Sequence, residues 1–180
     1  MKDNQPAPVD ERKMTNSFIT ETMQICVVTR DYRRTLDGFV SAGIGPWAIY
    51  DFAPPLLTET TYRGRPASYS MTLCLAWTGQ MLWEVIQPVT GPSIYTEFLD
   101  RHGEGIQHVA VACGDMTMAE RTREFEARGF ACIQSGVFNG NVPYAYFGTE
   151  EATGTVFEIF DIPDEGLPAP AAWYPEAPRD

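Results

Sequence analysis

Two glutamates stand in the middle of otherwise apolar, strand-like runs: Glu84 within Leu82-Trp83-Glu84-Val85-Ile86, and Glu158 within Val156-Phe157-Glu158-Ile159-Phe160. A carboxylate carried into an apolar interior is costly unless it is paired or holds a metal, so each needs a reason. Taken singly, each is accounted for by a strand face turned to water. His108, one of only two histidines, lies in Gly103-Glu104-Gly105-Ile106-Gln107-His108-Val109-Ala110-Val111-Ala112, just after a turn. Strand alternation places it on one face with Ala110 and Ala112, which leaves room beside the imidazole. A lone histidine there is ordinarily half-buried with a satisfied hydrogen bond. Gln24 opens an earlier run, Met23-Gln24-Ile25-Cys26-Val27-Val28, as His108 opens its own. If Gln24, Glu84, His108 and Glu158 converge, they offer three oxygens and one nitrogen, a donor set for one divalent cation such as Zn, Ni, Co, Mn or Mg.

The elements that must position these residues occur twice in the same order. After a polar stretch, the Gln24 strand is followed by a helix over Tyr32–Ala42 introduced by Asp31, with Leu36, Phe39 and Val40 at helical spacing, and Gly43 and Gly45 end it. A strand over Pro46–Phe52, a proline- and threonine-rich loop over Ala53–Ala67 expected to form a flap or rim, and a hairpin of Tyr69–Trp77 with Gln80–Pro88 complete a βαβββ unit. A connector with a short helix over Ser93–Arg101 leads to the His108 strand. A helix over Met116–Arg128 introduced by Asp115, a strand over Phe130–Phe138, a turn at Asn139-Gly140-Asn141, and strands over Tyr144–Gly148 and Thr155–Ile162 then repeat the order. Laid on each other, the halves match Gln24 with His108, Asp31 with Asp115, Gly43 with Gly129 and Glu84 with Glu158. The expected organisation is a tail over 1–20, a first module over 21–89, a connector over 90–104, a second module over 105–163 and a proline-rich tail over 164–180. That tail is expected to be irregular, touching the body through Trp173 and Tyr174, or else mobile.

A chain of 180 residues with 44% hydrophobic content holds one substantial core or two fused modules. The formal net charge of -11 works against nucleic acid and anionic membrane surfaces, both of which require clustered Lys and Arg. The first eighteen residues lack the apolar core of a signal peptide, and no stretch has the apolar length of a membrane span, so a cytoplasmic location is expected. Cys26, Cys74, Cys113 and Cys132 lie far apart, three of them in apolar runs, which fits neither a metal knuckle nor a disulfide framework. Aromatic residues gather in the same segments. Trp47, Tyr50, Tyr69, Tyr144 and Tyr146 are candidates for a substrate cleft, although most aromatics serve the core. Arg63 and Arg65 on the long loop are candidates for a carboxylate or phosphate, against the ordinary reading of solvated surface arginines.

The paired glutamate strands, with Gln24 and His108, resemble the vicinal oxygen chelate superfamily, which includes glyoxalase I, methylmalonyl-CoA epimerase, extradiol dioxygenases and bleomycin-resistance proteins. The resemblance spans about Thr22 to Pro163. It implies an α+β fold in which two tandem βαβββ modules form a U-shaped mixed sheet around a metal-binding cleft. It also implies metal ligands at Gln24, Glu84, His108 and Glu158. The segment from Gly91-Pro92-Ser93-Ile94 through Phe98 to His108 looks most like methylmalonyl-CoA epimerases, whereas the ligand set is similar to that of some glyoxalases. With Gln24 at the first ligand position and only two histidines, extradiol chemistry is disfavoured. The chemistry the remaining members share is proton abstraction next to a carbonyl of a small-molecule substrate, here bulky, apolar, aromatic or an acyl-CoA. In it Glu158 is the base, and Glu84 faces it across the ion to return the proton. The product is that of an isomerase, epimerase or lyase, and a homodimer is expected. The competing expectation is a metal-free protein of the bleomycin-resistance type that sequesters an apolar compound.

Overall fold

The computed structural model describes residues 18–19 and 21–178, so most of the expected N-terminal tail lies outside the described residues. In chain order the first half contains β1 (Thr22–Val28), α1 (Tyr32–Ser41), β2 (Trp47–Phe52), β3 (Leu57–Tyr62), β4 (Arg65–Pro66), β5 (Ser70–Thr78) and β6 (Met81–Thr90). Then follow α2 (Ile94–His102), β7 (Gly105–Val111), α3 (Met118–Ala127), β8 (Cys132–Phe138), β9 (Val142–Phe147), α4 (Glu150–Thr153), β10 (Val156–Phe160) and β11 (Ala172–Tyr174).

All eleven strands belong to one open, mixed sheet in the order β11-β2-β5-β6-β1-β7-β10-β9-β8-β3-β4. Its centre is the antiparallel pair β1 and β7, in which Gln24 faces Ala110 and Cys26 faces His108. This register exchanges the two halves about a local twofold axis, with Gln24 equivalent to His108 and Cys26 to Ala110. The outer pairs obey the same exchange. Strand β6 runs parallel to β1 with Glu84 opposite Cys26, and β10 runs parallel to β7 with Glu158 opposite Ala110.

Strand alternation then sorts the side chains. Gln24, Cys26 and Val28 turn to the concave face while Trp83 and Phe157, neighbours of the two glutamates, turn to the convex one, where each half is covered by one helix. Asp31 caps α1 by accepting from the Arg34 amide at 3.1 Å, and Leu36 with Phe39 and Val40 packs on Trp47, Ile49 and Val85. The second helix starts later than Asp115 predicts. Thr117 and Glu120 form a capping box, and this reciprocal pair fixes the start at Met118. From α3, Phe125 stacks on Phe147 with ring centroids 4.1 Å apart.

The loop expected over Ala53–Ala67 contains two strands instead. Leu57–Tyr62 has the threonine-rich character of a strand, and β3 pairs antiparallel with β8, an edge whose backbone groups would otherwise be unpaired. The first half thereby crosses to the far edge of the second. Phe52 of β2 stacks on Phe138 of β8 at 3.7 Å between centroids, so the two arms of the U are drawn together over an inner core. Helix α2 lies against this core through the buried Ile94, Tyr95 and Leu99. Part of the C-terminal segment, expected to be irregular, forms β11 on the edge of β2, and the Tyr174 hydroxyl donates to Asp37. Among the described residues no helix is long and apolar enough to cross a membrane.

Candidate functional site

The inner core carries a polar island. Gln24, Glu84, His108 and Glu158 are at most 4% exposed, and they come from β1, β6, β7 and β10, the four strands nearest the twofold axis. His108 Nε2 lies 3.0 Å from Glu84 Oε2 and 3.1 Å from Glu158 Oε2, and Gln24 Nε2 donates to the same Glu158 oxygen at 3.1 Å. The four residues singled out from the sequence therefore meet at one place. Cys26 stands beside them, with donor atoms of Cys26, Glu84 and His108 all within 4.8 Å of one another.

One further residue belongs here, and periodicity does not find it. Between Cys26 opposite His108 and Val27 opposite Ile106, the register of β1 and β7 slips, leaving Gln107 as the extra residue of a bulge. Strict alternation would send Gln107 to the opposite face from His108. The bulge instead buries them side by side, with Gln107 Oε1 2.5 Å from His108 Nδ1. An amide oxygen only accepts, so Nδ1 carries the proton, and Nε2 is left facing two carboxylates. A neutral imidazole would then aim a lone pair at two anionic oxygens. A proton or a metal ion on Nε2 meets the demand of the two carboxylates.

The electrostatics agree with that demand. Burial alone would lower the His108 pKa, but the charge of Glu158, hydrogen bonds to both carboxylates and the charge of Glu84 outweigh it and push the pKa up to about 9. Burial raises the Glu158 carboxyl above its ordinary value against the opposing pull of His108. Burial first, and the carboxylate charges second, push the Cys26 thiol well up. A divalent cation in place of the His108 proton would balance the charge of the two carboxylates when both are ionised. The spacing fits as well, because neighbouring ligand atoms around a six-coordinate ion with bonds of 2.0–2.1 Å lie about 3 Å apart.

Gln24, Glu84 and Glu158 open onto a small cavity of about 50 Å3 whose other walls include Phe52, Met71, Leu73, Val142, Tyr144 and Tyr146. The tail contributes to its lining through Ile162 and Leu167. Of the aromatic candidates, only Tyr144 and Tyr146 reach this cavity. Tyr69 stands behind Tyr144, its hydroxyl donating to the Ser135 carbonyl at 3.0 Å and lying 2.7 Å from the Tyr144 hydroxyl. Tyr95 of α2 donates to the Tyr146 hydroxyl at 2.8 Å, and burial raises both phenols well above their ordinary values. Tyr50 packs edge-on to Phe138, and Trp47 lies in the convex core, its indole N–H donating to the Ile44 carbonyl at 2.9 Å. Arg63 and Arg65 do not face the cavity. Arg63 forks onto Glu97 of α2, which also accepts from the Tyr62 hydroxyl, while Arg65 is exposed on β4. His102 ends α2 and lies 3.3 Å from Glu150.

The sequence model of the Glyoxalase/Bleomycin resistance protein/Dioxygenase superfamily matches residues 23–147. No curated protein matches the chain by sequence search. Among solved structures, a hypothetical protein from Bacillus halodurans C-125 is similar with a TM-score of 0.61 at 17% identity, covering 82% of this chain and 98% of that one. The methylmalonyl-CoA epimerase from Mycobacterium tuberculosis is similar with a TM-score of 0.56 at 15% identity, covering 83% and 93%. A mutant 4-hydroxymandelate synthase from Streptomyces coelicolor gives 0.54 at 16% identity, covering 86% of this chain and 41% of that one. At these identities the likeness is one of fold.

Proposed function

Because the chain belongs to the glyoxalase/bleomycin resistance protein/dioxygenase superfamily, we propose that it is a metal-dependent isomerase, epimerase or lyase that moves a proton next to a carbonyl. The observation that carries this reading is His108, held by Gln107 so that Nε2 presents itself to two buried carboxylates. In this reading Gln24, Glu84, His108 and Glu158 hold one divalent ion. When bound, such an ion would supply Lewis acidity toward the substrate carbonyl oxygen. Glu158 removes the proton from the carbon next to the carbonyl, since burial raises its proton affinity. Glu84, its counterpart about the twofold axis, carries a proton at the outset and returns it to the same carbon from the other face, which inverts the stereocentre. Tyr144 and Tyr146 shape the cavity wall, and the apolar lining excludes water from the exchanging carbon.

The cavity also narrows the substrate class. Among the described residues no lysine or arginine lines it, so it suits a neutral carbonyl compound with an apolar body better than the anionic head of an acyl-CoA. The test is metal content by mass spectrometry for wild type, His108→Ala and Glu158→Ala, followed by proton-to-deuterium exchange on apolar hydroxyketones. About one ion per chain, lost in both variants, with exchange in the wild type only, is the expected result. A wild-type protein that stays metal-free when offered Zn, Ni, Co, Mn and Mg overturns it. That outcome favours sequestration of an apolar compound, which the self-contained pairing of a protonated His108 with both carboxylates would also permit.

A further inference from the structure

The local twofold axis makes Cys26 and Ala110 equivalent, and their surroundings correspond as well. Each is the register partner of a glutamate on its parallel neighbour, Cys26 of Glu84 and Ala110 of Glu158. Each is also the antiparallel partner of the other half's donor, Cys26 of His108 and Ala110 of Gln24. In-register neighbours project to the same face, so each of these positions forms the floor of the island between two donor side chains. In the second half that floor is a methyl group. In the first it is a fully buried thiol, placed with Glu84 and His108 so that one donor atom of each lies within 4.8 Å of the other two. Atoms bonded to one ion at about 2.0–2.3 Å lie about 3–4 Å apart, so binding an ion would draw the trio closer together.

We propose that Cys26 is a sulfur ligand to the ion, a fifth donor beside Gln24, Glu84, His108 and Glu158. The proposal rests on the metal-binding reading given above and adds to it the character of the site. On coordination the S–H proton leaves to solvent and the sulfur lone pair binds the ion, with no change in oxidation state. A thiolate turns an otherwise hard, oxygen-rich set toward Zn, Co or Ni and away from Mg or Mn. The twofold equivalence supplies the control, since Cys26→Ala gives the first half the floor that the second half already has.

The experiment loads the chelator-stripped protein with Co(II) and reads its near-ultraviolet spectrum alongside bound cobalt by mass spectrometry. The expected result is a thiolate-to-cobalt charge-transfer band that saturates at about one cobalt per chain. The band disappears in Cys26→Ala and in the near-isosteric Cys26→Ser, both of which still bind cobalt through the remaining four donors, at least about tenfold more weakly. It persists in Cys74→Ala, which removes a buried thiol of the convex core. Stoichiometric cobalt without the band in wild type overturns the sulfur ligand and leaves the metal reading standing. A band that survives Cys26→Ser overturns it equally. A wild type that takes up no cobalt overturns both readings together.

Discussion

The charge at His108 Nε2 has a consequence for stability that can be worked out before any substrate is known. In the metal-free protein the His108 pKa stands at about 9 against 6.5 for a free imidazole, because the two carboxylates outweigh the cost of its burial. A group whose folded pKa is raised adds stability that is complete below its unfolded value and is lost as pH rises through the folded one. The loss therefore falls between about pH 6.5 and 9. At about 1.4 kcal/mol per pKa unit it amounts to about 3 kcal/mol, or roughly 1.5 M in the urea midpoint for a slope of about 2 kcal/mol/M. Glu158 works in the same direction, since its folded pKa is also raised. Urea unfolding in the presence of a strong chelator, from pH 6 to 9.5, should show this fall in wild type. In His108→Gln, which keeps a donor near the carboxylates but does not titrate, the fall above pH 6.5 should be largely absent. Saturating divalent metal should reverse the trend, because the ion replaces the proton and its affinity grows with pH. A chelated wild type whose midpoint runs parallel to that of His108→Gln between pH 6.5 and 9 refutes the reasoning.

Three further outcomes are expected. Phe138→Ala removes the ring that stacks on Phe52 between the arms of the sheet and should cost about 3–5 kcal/mol in denaturant unfolding. Gly136→Ala would place a Cβ 2.4 Å from the Tyr144 hydroxyl, forcing that side chain off Tyr69. It should cost about 1–3 kcal/mol, and less in a Tyr144→Phe background, where the hydroxyl clash is gone and the ring carbon at 2.8 Å remains. Glu104 accepts from Arg34, the Arg30 amide and Thr29, and the Arg34 bond above all holds its carboxyl down at about 2. Glu104→Gln should therefore lower stability by about 1 kcal/mol above pH 4.5, the scale of a screened surface pair, with the difference from wild type vanishing as pH falls toward 2.

The island was legible in the sequence because it depends on two patterns that sequence displays directly. A charged residue inside an apolar strand is visible wherever it stands, and a repeated order of elements pairs Glu84 with Glu158 and Gln24 with His108. What escaped depended on departures from regular structure or on contacts between distant segments. Gln107 joins His108 only because a bulge breaks the alternation of β7, and nothing in the order Ile106-Gln107-His108 marks a bulge. The run Leu57-Thr58-Glu59-Thr60-Thr61-Tyr62 had strand composition, yet prolines and glycines around it pointed to a loop, and its partner β8 lies more than seventy residues away. Trp47 shows the limit of composition as a guide. It is aromatic and fully buried, but strand geometry points it at α1 and away from the cavity.

The same geometry bears on what enters the cavity. The two arginines of the long loop are the cations that sequence offers for an anionic substrate, and both are kept outside, Arg63 by its bonds to Glu97 and Arg65 by its place on β4. With one divalent ion balancing two carboxylates, the island would offer an anion no net positive charge. Apart from Tyr144 and Tyr146, whose hydroxyls are engaged by Tyr69 and Tyr95, the walls are apolar and would do little to offset its desolvation. A neutral carbonyl compound loses little solvation on the same path, and it gains from contact with Phe52, Met71 and Leu73. Its oxygen arrives at the one spot where positive charge is concentrated. Exchange assays should therefore run faster on uncharged hydroxyketones than on isosteric keto acids, and a Leu82→Arg substitution on the cavity wall should narrow or invert that preference. Equal rates on both classes with the wild-type protein would place the substrate's charged group outside the cavity and return the surface arginines to consideration.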